Sequence, residues 1–219
     1  RIFTVSDEVK QSFLNVYPEC SGRTYVFHNL INQEEIRRKA ELPGGFEDSY
    51  DGKRILTVGR LTAQKAYEFS IDAMKLLKDH GVKARWYVLG EGELREKLQF
   101  KINKLGLKDD FILMGARENP FPYYKECDLY VHASRFEGKS IAIQEAQTLG
   151  CTLVVSDCSG NREQVEPGVD GMMCRLDAKE ICDTVEALLK DEEKCRKLGK
   201  KAAEKSFLED KDVLKPFDF

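Results

Sequence analysis

Hydrophobic positions along this chain fall into two patterns that take turns. Short apolar runs of strand length occur at Ile2 to Val5, Tyr25 to Phe27, Ile55 to Val58, Arg85 to Leu89, Phe111 to Met114, Leu129 to His132 and Leu153 to Val155. Between them, apolar residues recur at helical spacing. Tyr67, Ile71, Met74, Leu76 and Leu77 make one stripe, Leu94, Leu98, Ile102 and Leu105 a second, and Ile181, Val185, Leu188 and Leu189 a third. Strand followed by helix, repeated, predicts an α/β fold in which a parallel sheet is covered by helices.

One stretch breaks the rhythm. Glu41 to Lys53, ELPGGFEDSYDGK, has no period and is rich in glycine, acids and turn formers, which predicts a linker or exposed loop. It separates about 40 residues able to make a strand, a helix and another strand from about 150 that read as a complete αβ domain. The expected division is residues 1–50, 51–206 and a charged tail, 207–219. The chain opens on Arg1 and runs at once into strand-like sequence, as a piece of something longer would.

Composition narrows the classes. With 219 residues, 42% of them hydrophobic, the chain can bury a core without disulfides or metal. Its seven cysteines are odd in number and contain no CxxC, the pattern of reduced thiols in a cytosolic protein. Lys and Arg number 35 against 38 Asp and Glu, interspersed, which argues against a dedicated nucleic-acid binder. No apolar run approaches the roughly 18 residues of a membrane span.

Parallel αβ sheets bind ligands where strands end and helices begin, so the junctions carry the candidate chemistry. At the first, Val58-Gly59-Arg60-Leu61-Thr62-Ala63-Gln64-Lys65, Gly59 turns the chain off its strand. Arg60 and Lys65 set a forked and a point cation near free helix amides, which suits a diphosphate; solvated charges at a helix start would look the same. At the second, Leu89-Gly90-Glu91-Gly92-Glu93-Leu94, Arg95 stands where a dinucleotide fingerprint has its third glycine. At the third, Gly115-Ala116-Arg117, a flat ring could approach the backbone, or the segment is a plain tight turn.

The fourth junction is the most informative: Ser134-Arg135-Phe136-Glu137-Gly138-Lys139-Ser140-Ile141-Ala142-Ile143-Gln144-Glu145-Ala146. A helix starting near Gly138 or Lys139 would leave the amides of Lys139, Ser140 and Ile141 unpaired and ready for a phosphate. Glu145, a turn further on the Ile141 face, could accept from the two hydroxyls of a ribose. Glu137, just before the helix, points into the same mouth, although an acid there also stabilises the helix dipole. His132 ends a strand at this edge, where it either reaches the diphosphate or is a hydrogen-bonded strand-end histidine.

With these residues in place, the chain resembles the nucleotide-sugar-binding half of the retaining glycosyltransferase family 4, which has the GT-B fold. VGRLTAQK, LGEGEL, DLYVHASRFEGKSIAIQEAQTLG and VVSDCSGNREQVEPGVDG stand in that family's order and at its approximate spacings. The resemblance covers roughly residues 1–206 and implies a Rossmann-like parallel sheet with helices on both faces, plus a remnant of an N-terminal acceptor-side domain. It implies Glu137 against the donor sugar, Glu145 against the ribose, and Arg60 and Lys65 on the diphosphate, stabilising the leaving nucleotide. Gly59 and Gly90 would admit the ligand, the amides of Gly138, Lys139, Ser140 and Ile141 would complete the cradle, and Gly115, Ala116 and Arg117 would meet the base.

The same resemblance implies no metal or cofactor. Asp210 and Asp212 form a nominal DxD with no strand before them. The partners implied are a nucleotide diphosphate sugar and, through the missing domain, a glycan or lipid-linked acceptor, as in bacterial polysaccharide biosynthesis. A cytoplasmic setting follows, with peripheral membrane association of the full-length protein at the inner face. Ala66 departs from the family's usual glycine, and Lys139-Ser140 from its usual apolar residue and proline; Lys139 could add a third cation beside the phosphate. Lacking most of one cleft wall, the chain is expected to bind nucleotide and transfer little or no sugar. A non-catalytic nucleotide-sugar-binding module is the competing reading.

Overall fold

The computed structural model describes residues 1–208, so the tail expected at 207–219, with Asp210 and Asp212, lies almost wholly outside the described residues. The chain opens with β1 (Ile2–Thr4), α1 (Asp7–Val16), a 3-10 turn at Pro18–Arg23 and β2 (Thr24–Val26). The two strands pair in parallel, Ile2 opposite Thr24. Ser6 starts α1 by accepting the Val9 amide at 3.2 Å, which satisfies one of the helix's orphan donors.

Six parallel strands form the main sheet: β3 (Lys53–Val58), β4 (Ala84–Leu89), β5 (Phe111–Gly115), β6 (Leu129–His132), β7 (Leu153–Ser156) and β8 (Met172–Cys174). Their order is β5-β4-β3-β6-β7-β8. Helices α2 (Gln33–Ala40), α3 (Tyr67–Asp79), α4 (Arg95–Lys104), α5 (Phe121–Glu126), α6 (Ile141–Thr148), α7 (Ser159–Arg162), α8 (Ala178–Leu189) and α9 (Glu192–Ala203) complete the fold. This is the α/β parallel sheet that the strand and helix rhythm predicts, in the Rossmann-like form that the resemblance implies.

Side chains alternate across the sheet, and both faces are apolar because both are covered. Ile55, Trp86, Val88 and Val131 point to the side closed by α3, α4 and α8, where Ile71, Leu77, Ile102 and Val185 meet them. Leu56, Tyr87, Tyr130 and Val155 point to the opposite side, against Tyr124, Ile143 and Ala202. The indole N–H of the fully buried Trp86 donates to Thr57 Oγ1 at 3.0 Å, and Thr57 donates onward to the Val131 carbonyl at 2.7 Å. A large aromatic is thus buried with its polar atom satisfied.

Strand order reverses between β3 and β6, paired through Ile55 with Leu129 and Leu56 with Tyr130. The connections leaving these neighbours diverge, which opens a crevice at their carboxyl ends, beyond Val58 and His132.

Four details differ from the sequence reading. The first 40 residues hold a second helix, α2, which packs against α5 and α6. Glu41 to Lys53 is irregular, yet it is pinned and not a free linker. Phe46 packs on Tyr87 and Tyr123, and Asp48 pairs with Arg54 at 2.9 Å and Arg85 at 2.6 Å. The helix placed near Gly138 or Lys139 begins at Ile141, with Ser140 at its cap. The short β8 carries no alternation signal and went unpredicted.

Candidate functional site

Two segments meet at the crevice. After β3 the chain turns at Gly59 and enters a 3-10 turn, Ala63–Lys65, which delivers Lys65. After β6 the loop from Ala133 to Ser140 delivers Ser134 and Glu137. Lys65 Nζ lies 2.6 Å from Glu137 Oε1. The same oxygen receives Ser134 Oγ at 2.6 Å and stands 2.9 Å from His132 Nε2. Gln64 Nε2 reaches the other carboxylate oxygen at 3.4 Å and the Phe136 carbonyl at 2.9 Å. Lys65 Nζ and His132 Nε2 are 3.2 Å apart, so a lysine, an imidazole and a carboxylate close a triangle.

Burial alone would raise the Glu137 carboxyl. The hydrogen bond and charge presented by His132 and Lys65 outweigh it and bring the group down to about 2. Burial, reinforced by the Lys65 charge, pushes the His132 imidazole below its ordinary value against the pull of Glu137. The site thus holds an anionic carboxylate beside a buried imidazole biased toward the neutral form. On the ring's far side, Tyr130 Oη lies 3.1 Å from Nδ1.

Glu145 is a turn inside α6, half-buried, and accepts from Tyr124 Oη at 3.1 Å. Burial pushes its carboxyl up to about 7, the Tyr124 bond opposing. The Tyr124 ring lies 5.1 Å from that of Tyr130 at a tilt of 35°, and the Tyr130 ring lies 6.0 Å from that of His132. A run of aromatic contacts therefore links the surroundings of the two glutamates.

The other candidates sort as follows. Arg60 is exposed, and its side chain makes no hydrogen bond or ion pair among the described residues. Gly59 lies under the Lys65 stem: a Cβ there would meet Lys65 Cε at 3.4 Å. Gly90, at φ +149°, bridges to Gly115, at φ +80°, so both glycines answer a backbone requirement of the sheet edge. Arg117 donates to Tyr123 Oη at 3.1 Å and to the carbonyl of Ala116 at 3.5 Å. Lys139, expected as a third cation in the cradle, has its ammonium 3.1 Å from His28 Nδ1, on the N-terminal unit. The later helix start moves the first-turn amides from Lys139, Ser140 and Ile141 to Ile141, Ala142 and Ile143, with Gly138 and Lys139 in the loop ahead of them.

Sequence reasoning missed Ser134, Gln64, Tyr130 and Tyr124. Tyr130 had a signal, since residues two apart on a strand share a face with its neighbour His132. Ser134 and Gln64 act through loops whose path only the fold determines.

Elsewhere, a groove of about 560 Å³ runs between α3 and α4, lined by Leu94, Leu98, Phe100 and Lys101. It shares Ala63 and Arg135 with the rim of the crevice and includes neither Lys65 nor Glu137. Among the described residues, His80, Cys182 and Glu186 bring ligand-type atoms within 4.8 Å of one another. They lie at the far end of α3, where His80 already pairs with Glu186 at 2.6 Å and Lys190 takes the second oxygen at 2.5 Å.

Comparison with known proteins adds three observations. A family model described as glycosyl transferases group 1 matches residues 33–205. An uncharacterized glycosyltransferase of Methanocaldococcus jannaschii is 30% identical over 173 residues, 76% of this chain and 42% of that protein. The N-acetylgalactosamine-N,N'-diacetylbacillosaminyl-diphospho-undecaprenol 4-alpha-N-acetylgalactosaminyltransferase of Campylobacter jejuni is 31% identical over 180 residues, 81% and 47% of the two chains. This chain thus spans a little under half of each relative. Among solved structures, a mutant of S. aureus TarM in complex with fondaparinux, alpha-GlcNAc-glycerol and UDP superposes with a TM-score of 0.77. That match covers 92% of this chain and 39% of the other at 18% identity, a likeness of fold.

Proposed function

The chain belongs to the glycosyl transferases group 1 family, and from that premise we propose that it is the donor-side half of a retaining, family 4 transferase. Residues 51–206 hold a nucleotide diphosphate sugar in the crevice between β3 and β6. The parent protein moves a hexose from that donor to a glycan or lipid-linked acceptor held by a domain of which residues 1–50 are a remnant. The observation that carries the reading is the direct meeting of Lys65 with Glu137 at the strand-order reversal, 2.6 Å apart.

In this reading Lys65 and the exposed Arg60 bind the diphosphate, and the first-turn amides of α6 complete the cradle. As the bond from sugar to phosphate breaks, negative charge grows on the leaving diphosphate. Cations already in place stabilise that charge more than the ground state, which lowers the barrier. Glu137 accepts from hydroxyls of the donor sugar, Glu145 from those of the ribose, and the backbone from Gly115 to Arg117 meets the base. Arginine and lysine neutralise the phosphates, so the mechanism assigns no step to a metal. The Campylobacter relative, named for a diphospho-undecaprenol acceptor, supports a lipid-linked acceptor; cytoplasmic work and peripheral membrane contact of the full-length protein belong to the same proposal.

Calorimetry with UDP and GDP tests the reading. Joint Arg60→Ala and Lys65→Ala substitution is expected to abolish binding of whichever nucleotide the chain takes, since charge-assisted hydrogen bonds contribute roughly 1.5–3 kcal/mol each. Unchanged affinity would remove the phosphate assignment. Sugar transfer to an acceptor by the 219-residue chain alone would contradict its being a donor half.

A further inference from the structure

Around His132 the hydrogen-bond roles conflict. Its Nε2 lies 2.9 Å from Glu137 Oε1, an acceptor, and 3.2 Å from Lys65 Nζ, a donor. A ring nitrogen donates when protonated and accepts when not, so one contact is unmet wherever the proton sits. Fewest conflicts remain when Nε2–H donates to Glu137 and Tyr130 donates to Nδ1, which leaves a neutral ring facing an ammonium. The ring is 1% exposed, so water offers it no relief. Tyr130 Oη has a second partner within reach, the Val58 carbonyl at 3.4 Å.

We propose that His132 is the positioning residue that takes over Glu137 when a diphosphate draws Lys65 away, so that nucleotide binding takes up a proton from solvent. The inference rests on the donor-site reading above. As Lys65 moves to the diphosphate oxygens, Glu137 loses its full countercharge in a place where an unpaired carboxylate is costly. A solvent proton adds to Nδ1 while Nε2–H stays on Oε1, and the imidazolium replaces the ammonium as the partner of the carboxylate. Tyr130 turns its hydroxyl, accepting from Nδ1–H and donating to the Val58 carbonyl.

The groups facing the imidazole are Lys65 from the 3-10 turn, Glu137 from the loop after β6 and Tyr130 from its own strand. Tyr67 of α3 stands nearby with its hydroxyl committed to the Gly59 carbonyl at 2.8 Å. Ser134 and Gln64 hold the two oxygens of Glu137 throughout, so the exchange of cations leaves the carboxylate aimed as before.

The test is calorimetric titration of the chain with UDP and with GDP at pH 7.5, in PIPES and in Tris. The terminal phosphate, with a second pKa of about 6, is then almost fully ionised. The dependence of the observed heat on buffer ionisation enthalpy counts the protons taken up. The wild type is expected to take up between about half and one proton, and its affinity to weaken by up to about tenfold per pH unit from pH 7 to 8.5. His132→Gln should bring the uptake near zero and flatten the pH dependence. Tyr130→Phe, which keeps the ring and strips the partner from Nδ1, should reduce the uptake, and it serves as the second readout if His132→Gln does not unfold cooperatively. No uptake by the wild type, or the same uptake in these variants, overturns the inference. Binding of neither nucleotide, or binding indifferent to Lys65→Ala, overturns the donor-site reading and this one with it. Binding that needs Lys65 without uptake that depends on His132 overturns this one alone.

Discussion

Glu137 and Glu145 flank one helix start and are driven in opposite directions. Cations and hydrogen-bond donors bring the first down to about 2, whereas burial pushes the second up to about 7. For Glu145 the raised value means that its neutral form favours folding. That contribution is fully present below the ordinary 4.5 and is lost as pH rises to about 7. Glu145→Gln removes the cost of holding the charge, so the variant is expected to be more stable than the wild type at pH 8. The gain has an upper limit on the order of 3 kcal/mol, because each tenfold change in proton affinity corresponds to about 1.4 kcal/mol. Near pH 4.5 the difference should almost vanish. The same carboxamide accepts less strongly than a carboxylate, so UDP or GDP affinity should fall while stability rises, the opposition expected of a site residue. Melting curves at the two pH values check the first half; equal midpoints at pH 8 would show that burial does not govern this group. The meeting of Lys65 with Glu137 was legible in the sequence, because the strand-to-helix junctions of a parallel sheet gather at one edge of it. Ser134 was not, because a serine three positions before an acid is ordinary until the loop path is known, whereas Tyr130 was overlooked although it shares a strand face with His132.

Among elements, α3 has the most constrained start. Ala66 is at φ 47° and ψ 36°, the single non-glycine residue at positive φ among the described residues, and it is fully buried. The left-handed region disfavours a Cβ by roughly 1–2 kcal/mol, which is why glycine is usual where this backbone is needed. The turn ahead of Ala66 carries Lys65, so the strained residue fixes where the cation emerges. Ala66→Val adds β-branching and overpacking to that strain and is expected to destabilise by about 2 kcal/mol or more. Ala66→Gly should stay within about 1 kcal/mol of wild type, relief of strain offsetting the larger entropy of the unfolded chain. Urea unfolding of the two variants decides; a stable valine variant would mean that the turn can adopt another backbone. Strands and long helices were readable because their periods are strong. The start of α6 was misplaced because Gly138, Lys139 and Ser140 all suit a helix entry, and the backbone of α7 settles the choice. A Cβ on Gly160 would stand 2.6 Å from the Glu137 carbonyl oxygen, so α7 packs backbone to backbone against the loop that precedes Ser140.

At the scale of the whole molecule, the N-terminal unit bears on the same loop from the other side. A Cβ on Gly138 would lie 3.0 Å from Val5 Cγ2 and 3.4 Å from Val9 Cγ2. Asn29 Nδ2 donates to the Lys139 carbonyl at 2.9 Å, and the Glu8 amide donates to Glu163 Oε1 at 2.7 Å, just beyond α7. Nothing in the spacing of residues 1–50 announced this docking, because contacts between segments 110 or more positions apart leave no local pattern. The consequence is energetic coupling: whatever orders the loop that carries Glu137 also favours α1 in its docked position, and the reverse holds by linkage. Amide hydrogen exchange reads such coupling directly, since local opening sets the rate at each amide. Val9→Ala trims the contact without burying a polar group and is expected to speed exchange both in α1 and across Phe136 to Ser140. Saturating UDP or GDP should slow exchange in those two segments together in the wild type, and less in the variant. Exchange that changes in α1 alone would mean that the N-terminal unit is attached to the site without being coupled to it.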